Sequence, residues 1–125
     1  MNFLELTWDD FEKFIDDFVE HCQINDIKYT GVYGIPRGGS VIATTLSHRL
    51  NIPFLGAPCD GCLIVDDIHD SGISLEHYYH CGYDVATWCY VEPLTPLNVP
   101  KYYFKKIDGY GKPWVVFPWE KRTSK

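Results

Sequence analysis

One segment constrains this chain more than any other: Cys62-Leu63-Ile64-Val65-Asp66-Asp67-Ile68-His69-Asp70-Ser71-Gly72-Ile73-Ser74. Three consecutive aliphatics, Leu63 to Val65, read as a strand buried on both faces of a sheet. Two adjacent acids follow, then a Gly/Ser-rich turn from which Ser71 to Ser74 open a helix running through His77 and Tyr78. Backbone N–H groups at such a turn and helix N-terminus attract an anion, and the Ser71 and Ser74 hydroxyls add donors. Asp66 and Asp67 fall at the carboxyl end of the strand, where open α/β sheets bind their ligands. Carboxylates suit sugar hydroxyls or a metal, and the turn suits a phosphate. A phosphorylated sugar satisfies all three. Without that ligand, the segment is a generic strand, turn and helix with solvated acids.

The order of these residues resembles the phosphoribosyl diphosphate (PRPP) signature of type I phosphoribosyltransferases: an apolar strand, two acids, an apolar and a variable residue, then Asp-Ser/Thr-Gly-x-Ser/Thr. The resemblance implies that Asp66 and Asp67 hold the ribose hydroxyls. It implies that Asp70, Ser71, Gly72, Ile73 and Ser74 wrap the 5-phosphate, with Mg²⁺ bound alongside PRPP at the acid pair. His69 occupies the variable position and reads as filler.

A second segment, Tyr33-Gly34-Ile35-Pro36-Arg37-Gly38-Gly39-Ser40, follows a strand-like run at Tyr29 to Tyr33 and precedes a helical stretch. Paired glycines let backbone approach an anion, and Arg37 supplies a planar cation for phosphate oxygens. Alone this is a plain strand-to-helix turn; one βαβ repeat upstream of the acid pair, it carries more weight. It resembles the family's pyrophosphate loop, in which a non-proline cis peptide turns N–H groups toward the diphosphate. Pro36–Arg37 would be that bond, with Pro36, Arg37 and Gly38 at the ligand.

Bulk properties are compatible with this reading. A chain of 125 residues with 46% hydrophobic content suits a single domain, 1–125, with a packed core. A net charge of −6 argues against nucleic acid as a partner. No apolar run reaches the roughly 20 residues of a membrane span, and the N-terminus has no signal-peptide pattern, so a cytoplasmic setting is expected. Five cysteines, an odd number, suggest reduced thiols. Cys59-Asp60-Gly61-Cys62 has the spacing of a zinc or redox site, but no second pair follows it; two ordinary thiols around a tight turn is the plainer reading.

Along the chain, Thr7-Trp8-Asp9-Asp10 marks a capped helix start. Trp8, Phe11, Ile15, Phe18, Val19 and Cys22 form an apolar stripe for core or dimer contact. Strands are expected at Tyr29–Tyr33, Pro53–Leu55, Leu63–Val65, Val85–Tyr90, Tyr102–Phe104 and Trp114–Phe117, and helices at Gly39–Leu50 and Ser74–Cys81. Alternating strands and helices imply an α/β fold with a mostly parallel sheet flanked by helices. The family's long mobile loop is reduced here to Gly56–Cys62. Either a partner subunit covers the site, or turnover is slow, or the protein binds without catalysing.

The C-terminal third bears on the base. Trp114-Val115-Val116-Phe117-Pro118-Trp119-Glu120 resembles the end of xanthine-guanine and hypoxanthine phosphoribosyltransferases. The resemblance implies that Trp114 stacks on a purine while the Val115 backbone reads its edge; otherwise these aromatics close the core. One departure stands out. The purine branch has a Lys before Pro after the fourth strand, donating to the 6-oxo group, whereas this chain has Glu92-Pro93, leaving 6-oxopurine, aminopurine and solvent-facing readings open. Ile73 likewise stands where some purine enzymes have Lys. The implied activity is transfer of the phosphoribosyl group from PRPP to a purine, with Asp66, Asp67, Asp70 and Arg37 as the catalytic set and Asp70 taking the purine's proton. A homodimer is expected. The alternatives are a PRPP or nucleotide sensor on the same fold, and a thiol- or metal-dependent module built on Cys59 and Cys62.

Overall fold

The computed structural model describes residues 2–71, 73–92 and 98–120. In chain order the elements are β1 (Phe3–Glu5), α1 (Trp8–Ile24), β2 (Val32–Gly34), α2 (Gly38–Leu50), β3 (Leu63–His69), α3 (Glu76–His80), β4 (Asp84–Glu92), β5 (Tyr102–Asp108), β6 (Trp114–Val116) and a 3₁₀ turn, Pro118–Glu120. Strands β2-β3-β4-β5 form one sheet whose pairings are all parallel. Their carboxyl ends, Gly34, His69, Glu92 and Asp108, therefore share one edge. Strands β1 and β6 make a separate parallel pair, Phe3 opposite Trp114.

Alternation along the strands divides the core. Val32, Leu63, Val65 and Trp88 pack with α1 and α2 through Phe11, Phe14, Phe18, Ile42 and Leu46. Ile64 and Val85 face the other way, onto Leu75, Cys62 and the half-buried Tyr78 and Tyr79. The capping box at the start of α1 forms as its sequence requires: Asp10 N donates to Thr7 Oγ1 at 3.1 Å and Thr7 N donates to Asp10 Oδ2 at 2.8 Å. Among the described residues, no helix is long and apolar enough to cross a membrane.

Several boundaries differ from the sequence expectation, each for a local reason. The strand expected at Leu63–Val65 continues to His69, because pairing with β4 holds as far as His69 opposite Tyr90; the acid pair thus lies inside a strand, against the low strand preference of Asp. The strand expected at Tyr29–Tyr33 is β2, Val32–Gly34, preceded by a turn in which the Thr30 hydroxyl donates to the Asp60 carbonyl at 2.8 Å. Pro53–Leu55 shrinks to one bridge, Phe54 to Val32. The helix expected at Ser74–Cys81 keeps five residues, none of them buried, so little packing extends it. β1 has no sequence expectation at all: three residues reveal themselves as a strand only through their partner, β6.

Candidate functional site

The shared carboxyl edge of the sheet carries two cavities, where ligands of parallel α/β sheets bind. The larger, about 810 Å³, is lined by Ile35, Pro36, Arg37, Gly38, Val41, Asp66, Asp67, Ser74, Trp119 and Glu120. Its first wall is the β2–α2 turn, and the Pro36–Arg37 peptide there is cis, as the resemblance implied. This turn lies directly on β3. A Cβ at Gly38 would stand 2.0 Å from Asp67 Oδ2, and one at Gly39 would stand 2.5 Å from the Val65 carbonyl oxygen. The backbone contact requires glycine at position 39, whereas a side chain at position 38 would push the Asp67 carboxylate aside. The amino end of α2 is thereby aimed into the cavity with no side-chain cap of its own.

The second wall is the acid pair. Asp67 N donates to Asp66 Oδ1 at 2.8 Å. Burial, then repulsion from Asp67, pushes the Asp66 carboxyl up to about 8; burial first, and the Glu120 charge further down, push Asp67 up as well. Two half-buried carboxylates held away from their ordinary range are matched to a cation or to sugar hydroxyls. Their hard oxygens fit Mg²⁺ in kind, although among the described residues no third His, Cys, Asp or Glu joins them as a metal set.

The smaller cavity, about 260 Å³, is lined by Asp70, Ser71, Val91, Glu92, Gly109, Tyr110 and Lys112. The segment after β3 therefore serves both spaces, Asp70 and Ser71 in one and Ser74 in the other. Gly72 lies outside the described residues, and Ile73 points to solvent. Glu92 is at this cavity, as its place at the end of β4 requires, and it pairs with Lys106 of β5. Lys112 pairs with Asp70. Tyr110 and Lys112, which no sequence motif marked, are brought here by the Asp108–Gly111 turn. In that turn Tyr110 N donates to Asp108 Oδ1 at 2.9 Å and Gly111 takes a positive φ of 62°.

Of the two residues expected at the base, Trp114 is 61% exposed on β6 and Val115 is buried in the core; neither lines either cavity. The rest of that aromatic run divides its duties. Phe117 and Trp119 stack at 5.4 Å and close over Trp88, while Trp119 and Glu120 also reach the larger cavity. His69, expected to be filler, is 2% exposed and packs against Tyr79 and Tyr90; neither ring nitrogen has a partner among the described residues, nor has the Tyr79 hydroxyl. Burial lowers its pKa, keeping the ring neutral beneath the Asp70 loop. Only its place in an apolar strand end could have signalled this. Cys59 and Cys62 flank a turn in which Cys62 N donates to Cys59 O at 3.1 Å; one thiol is exposed and the other buried.

A parallel sheet with a cis peptide in the β2–α2 turn and an acid pair on one edge is the architecture of the type I phosphoribosyltransferase fold, and this chain has that fold. Solved structures carry the same conclusion. The purine phosphoribosyltransferase of Pyrococcus horikoshii Ot3 superposes with a TM-score of 0.78 at 27% identity, covering 100% of this chain and 98% of that one. The xanthine-guanine-hypoxanthine phosphoribosyltransferase of Helicobacter pylori shares the fold with a TM-score of 0.76 at 19% identity, over 95% and 94% of the two chains. A hypothetical protein from Neisseria gonorrhoeae with bound ppGpp shares it with a TM-score of 0.72 at 19% identity, over 96% and 90%. No family model and no curated protein matches the sequence, so three-dimensional form carries the likeness.

Proposed function

We propose that this protein transfers the 5-phosphoribosyl group of PRPP to a purine base, releasing diphosphate and forming a nucleoside 5′-monophosphate. The observation that carries this reading is the continuity of the carboxyl edge: Arg37, the acid pair and Ser74 line one cavity, and the same loop opens the next through Asp70. Arg37 and the N–H groups at the start of α2 would receive the diphosphate. Asp66 and Asp67 would hold the ribose hydroxyls and favour positive charge at C1 as its bond to the diphosphate oxygen breaks. A purine nitrogen would form the new bond to C1, and Asp70 would accept the proton the purine gives up. Mg²⁺, when bound with PRPP, supplies charge neutralisation at the diphosphate; the acid pair is where this chain would hold it. A small-molecule partnership, a cytoplasmic setting and a homodimer belong to the same proposal.

Calorimetric titration with PRPP and Mg²⁺, followed by diphosphate assay after adding guanine, hypoxanthine, xanthine or adenine, tests it. Binding with release for one base is the expected result. No PRPP binding would end the proposal. A second reading, a nucleotide sensor, is favoured by the short 56–62 connection, which leaves little chain to close over the cavity, and by the ppGpp bound to one structural neighbour. Binding without turnover for any base would select it.

A further inference from the structure

We propose that Cys59 and Cys62 form a reversible disulfide across the turn that leads into β3, by exchange with a small-molecule disulfide. The inference stands apart from the proposed function: Cys62 sits just before β3, at the amino edge of the sheet, whereas the two cavities open at the carboxyl edge. Cys59-Asp60-Gly61-Cys62 closes a β-turn, with Cys62 N donating to Cys59 O at 3.1 Å. Such a turn holds its first and last Cα atoms within about 7 Å, the separation that a disulfide can span. Gly61 takes a φ of 77°, as a type II turn asks of its third residue. The preceding chain pins the turn: Thr30 N donates to Gly61 O at 3.0 Å, and the Thr30 hydroxyl donates to Asp60 O at 2.8 Å. With its proton so committed, that hydroxyl stands 3.9 Å from Cys59 Sγ as an acceptor for the thiol.

The two thiols differ as stepwise exchange requires. Cys59 is exposed and meets the reagent, whereas Cys62 is buried within reach of Cys59 alone. Burial pushes the Cys62 thiol up, and the charge of the adjacent Cys59 adds to the rise, so Cys62 attacks second. The Cys59 thiolate attacks one sulfur of a reagent RSSR, forming a mixed disulfide at Cys59 and releasing RS⁻. The Cys62 thiol then gives its proton to solvent and attacks the Cys59 sulfur; the Cys59–Cys62 bond forms as the bond to SR breaks and a second RS⁻ leaves. Two protein thiols are oxidised to one disulfide, and the reagent's disulfide is reduced to two thiols. Among the described residues no third His, Cys, Asp or Glu completes a metal set with the pair, which leaves thiol exchange as its chemistry. In a compartment that keeps thiols reduced, such a bond forms only when the disulfide fraction rises.

Incubation with oxidised glutathione, followed by intact-mass measurement and peptide mapping without reductant, tests the inference. The wild type is expected to lose two hydrogens, with the bridge mapped to Cys59 and Cys62 and reversed by dithiothreitol. Cys62→Ser, which removes the second attack, is expected to retain glutathione on Cys59 at a level at least about tenfold above the wild type. Cys59→Ser is expected to slow modification of the buried Cys62 at least about tenfold. Glutathione retained on Cys59 in the wild type, a bridge to the other exposed thiol, Cys81, or to a second copy of the chain, or no loss of hydrogens at any glutathione ratio would each overturn the inference. The wild-type map decides alone if circular dichroism shows that a variant has not folded. PRPP titration of the reduced protein reports on the transferase reading separately.

Discussion

The two cavities share one sheet edge yet are built in opposite ways. The larger takes most of its wall from two contiguous stretches, 35–38 and 66–67, each a turn or strand end that makes its own chemistry locally. The smaller draws on 70–71, 91–92, 109–110 and Lys112, four pieces from three strand ends. The first is polar, with two carboxylates raised by burial and an arginine; the second has apolar walls and two charged pairs at its rim. On the proposed function, anchoring of a phosphorylated sugar would rest on backbone and buried charge, which few substitutions tolerate. Base choice would rest on exposed side chains of a turn, where change costs little stability.

The largest effect is expected from Asp66→Asn with Asp67→Asn. PRPP affinity should fall at least about a hundredfold, as loss of two charge-assisted partners implies, with base-cavity substitutions leaving it untouched. The same pair tests the stored electrostatic cost. The Asp66 carboxyl rises from 3.8 to about 8 on folding, so between those values the native state keeps a proton that the unfolded chain releases. Stability of the ligand-free protein should decline as pH rises through that window, and the double variant should lose the slope and gain on the order of 1–3 kcal/mol at neutral pH. Urea unfolding across pH measures both. A flat wild-type profile would show that the pair is relaxed by water.

Gly38→Ala comes next. Its Cβ would collide with Asp67 Oδ2, so PRPP affinity should drop about tenfold or more while the wild-type fold persists in circular dichroism. Tyr110→Ala should weaken base or nucleotide binding by about tenfold through lost stacking, with PRPP binding unchanged; an effect on both ligands would merge the two cavities into one functional unit. The smallest change is expected from Glu92→Gln. Both partners of the Glu92–Lys106 pair are about half exposed, at 52% and 51%, and exposed pairs contribute little, so the ratio of IMP to AMP affinity should move less than about threefold. A larger shift would place Glu92 at the base edge.

Legibility follows the same division. The acid pair and the Pro36–Arg37 turn could be placed at the carboxyl ends of strands because each combines a strand end, a turn residue and a charged group within a few positions. The burial of His69 had one weak signal, its place at an apolar strand end, since spacing alone does not tell a buried neutral imidazole from an exposed one. Trp114 was expected at the base from a resemblance of the terminal motif; what the linear pattern did not carry is that β6 pairs with β1 and leaves the Trp114 ring open to solvent. β1 itself, too short to carry a period, exists only because it exchanges hydrogen bonds with β6, Leu6 N donating to Val116 O and Trp114 N to Asn2 O.

The sequence by itself determined the alternation of strand and helix, the parallel sheet and the turns at its carboxyl edge, since hydrophobic period, glycine placement and paired acids act over short range. Tertiary structure alone decided which distant side chains face one another. Lys106 meets Glu92, and Lys112 meets Asp70, because parallel strands bring their carboxyl ends to one edge whatever their separation in the chain. Charge placed by register and turn geometry leaves no mark on sequence spacing, and in this protein that charge sets the chemistry of the second cavity.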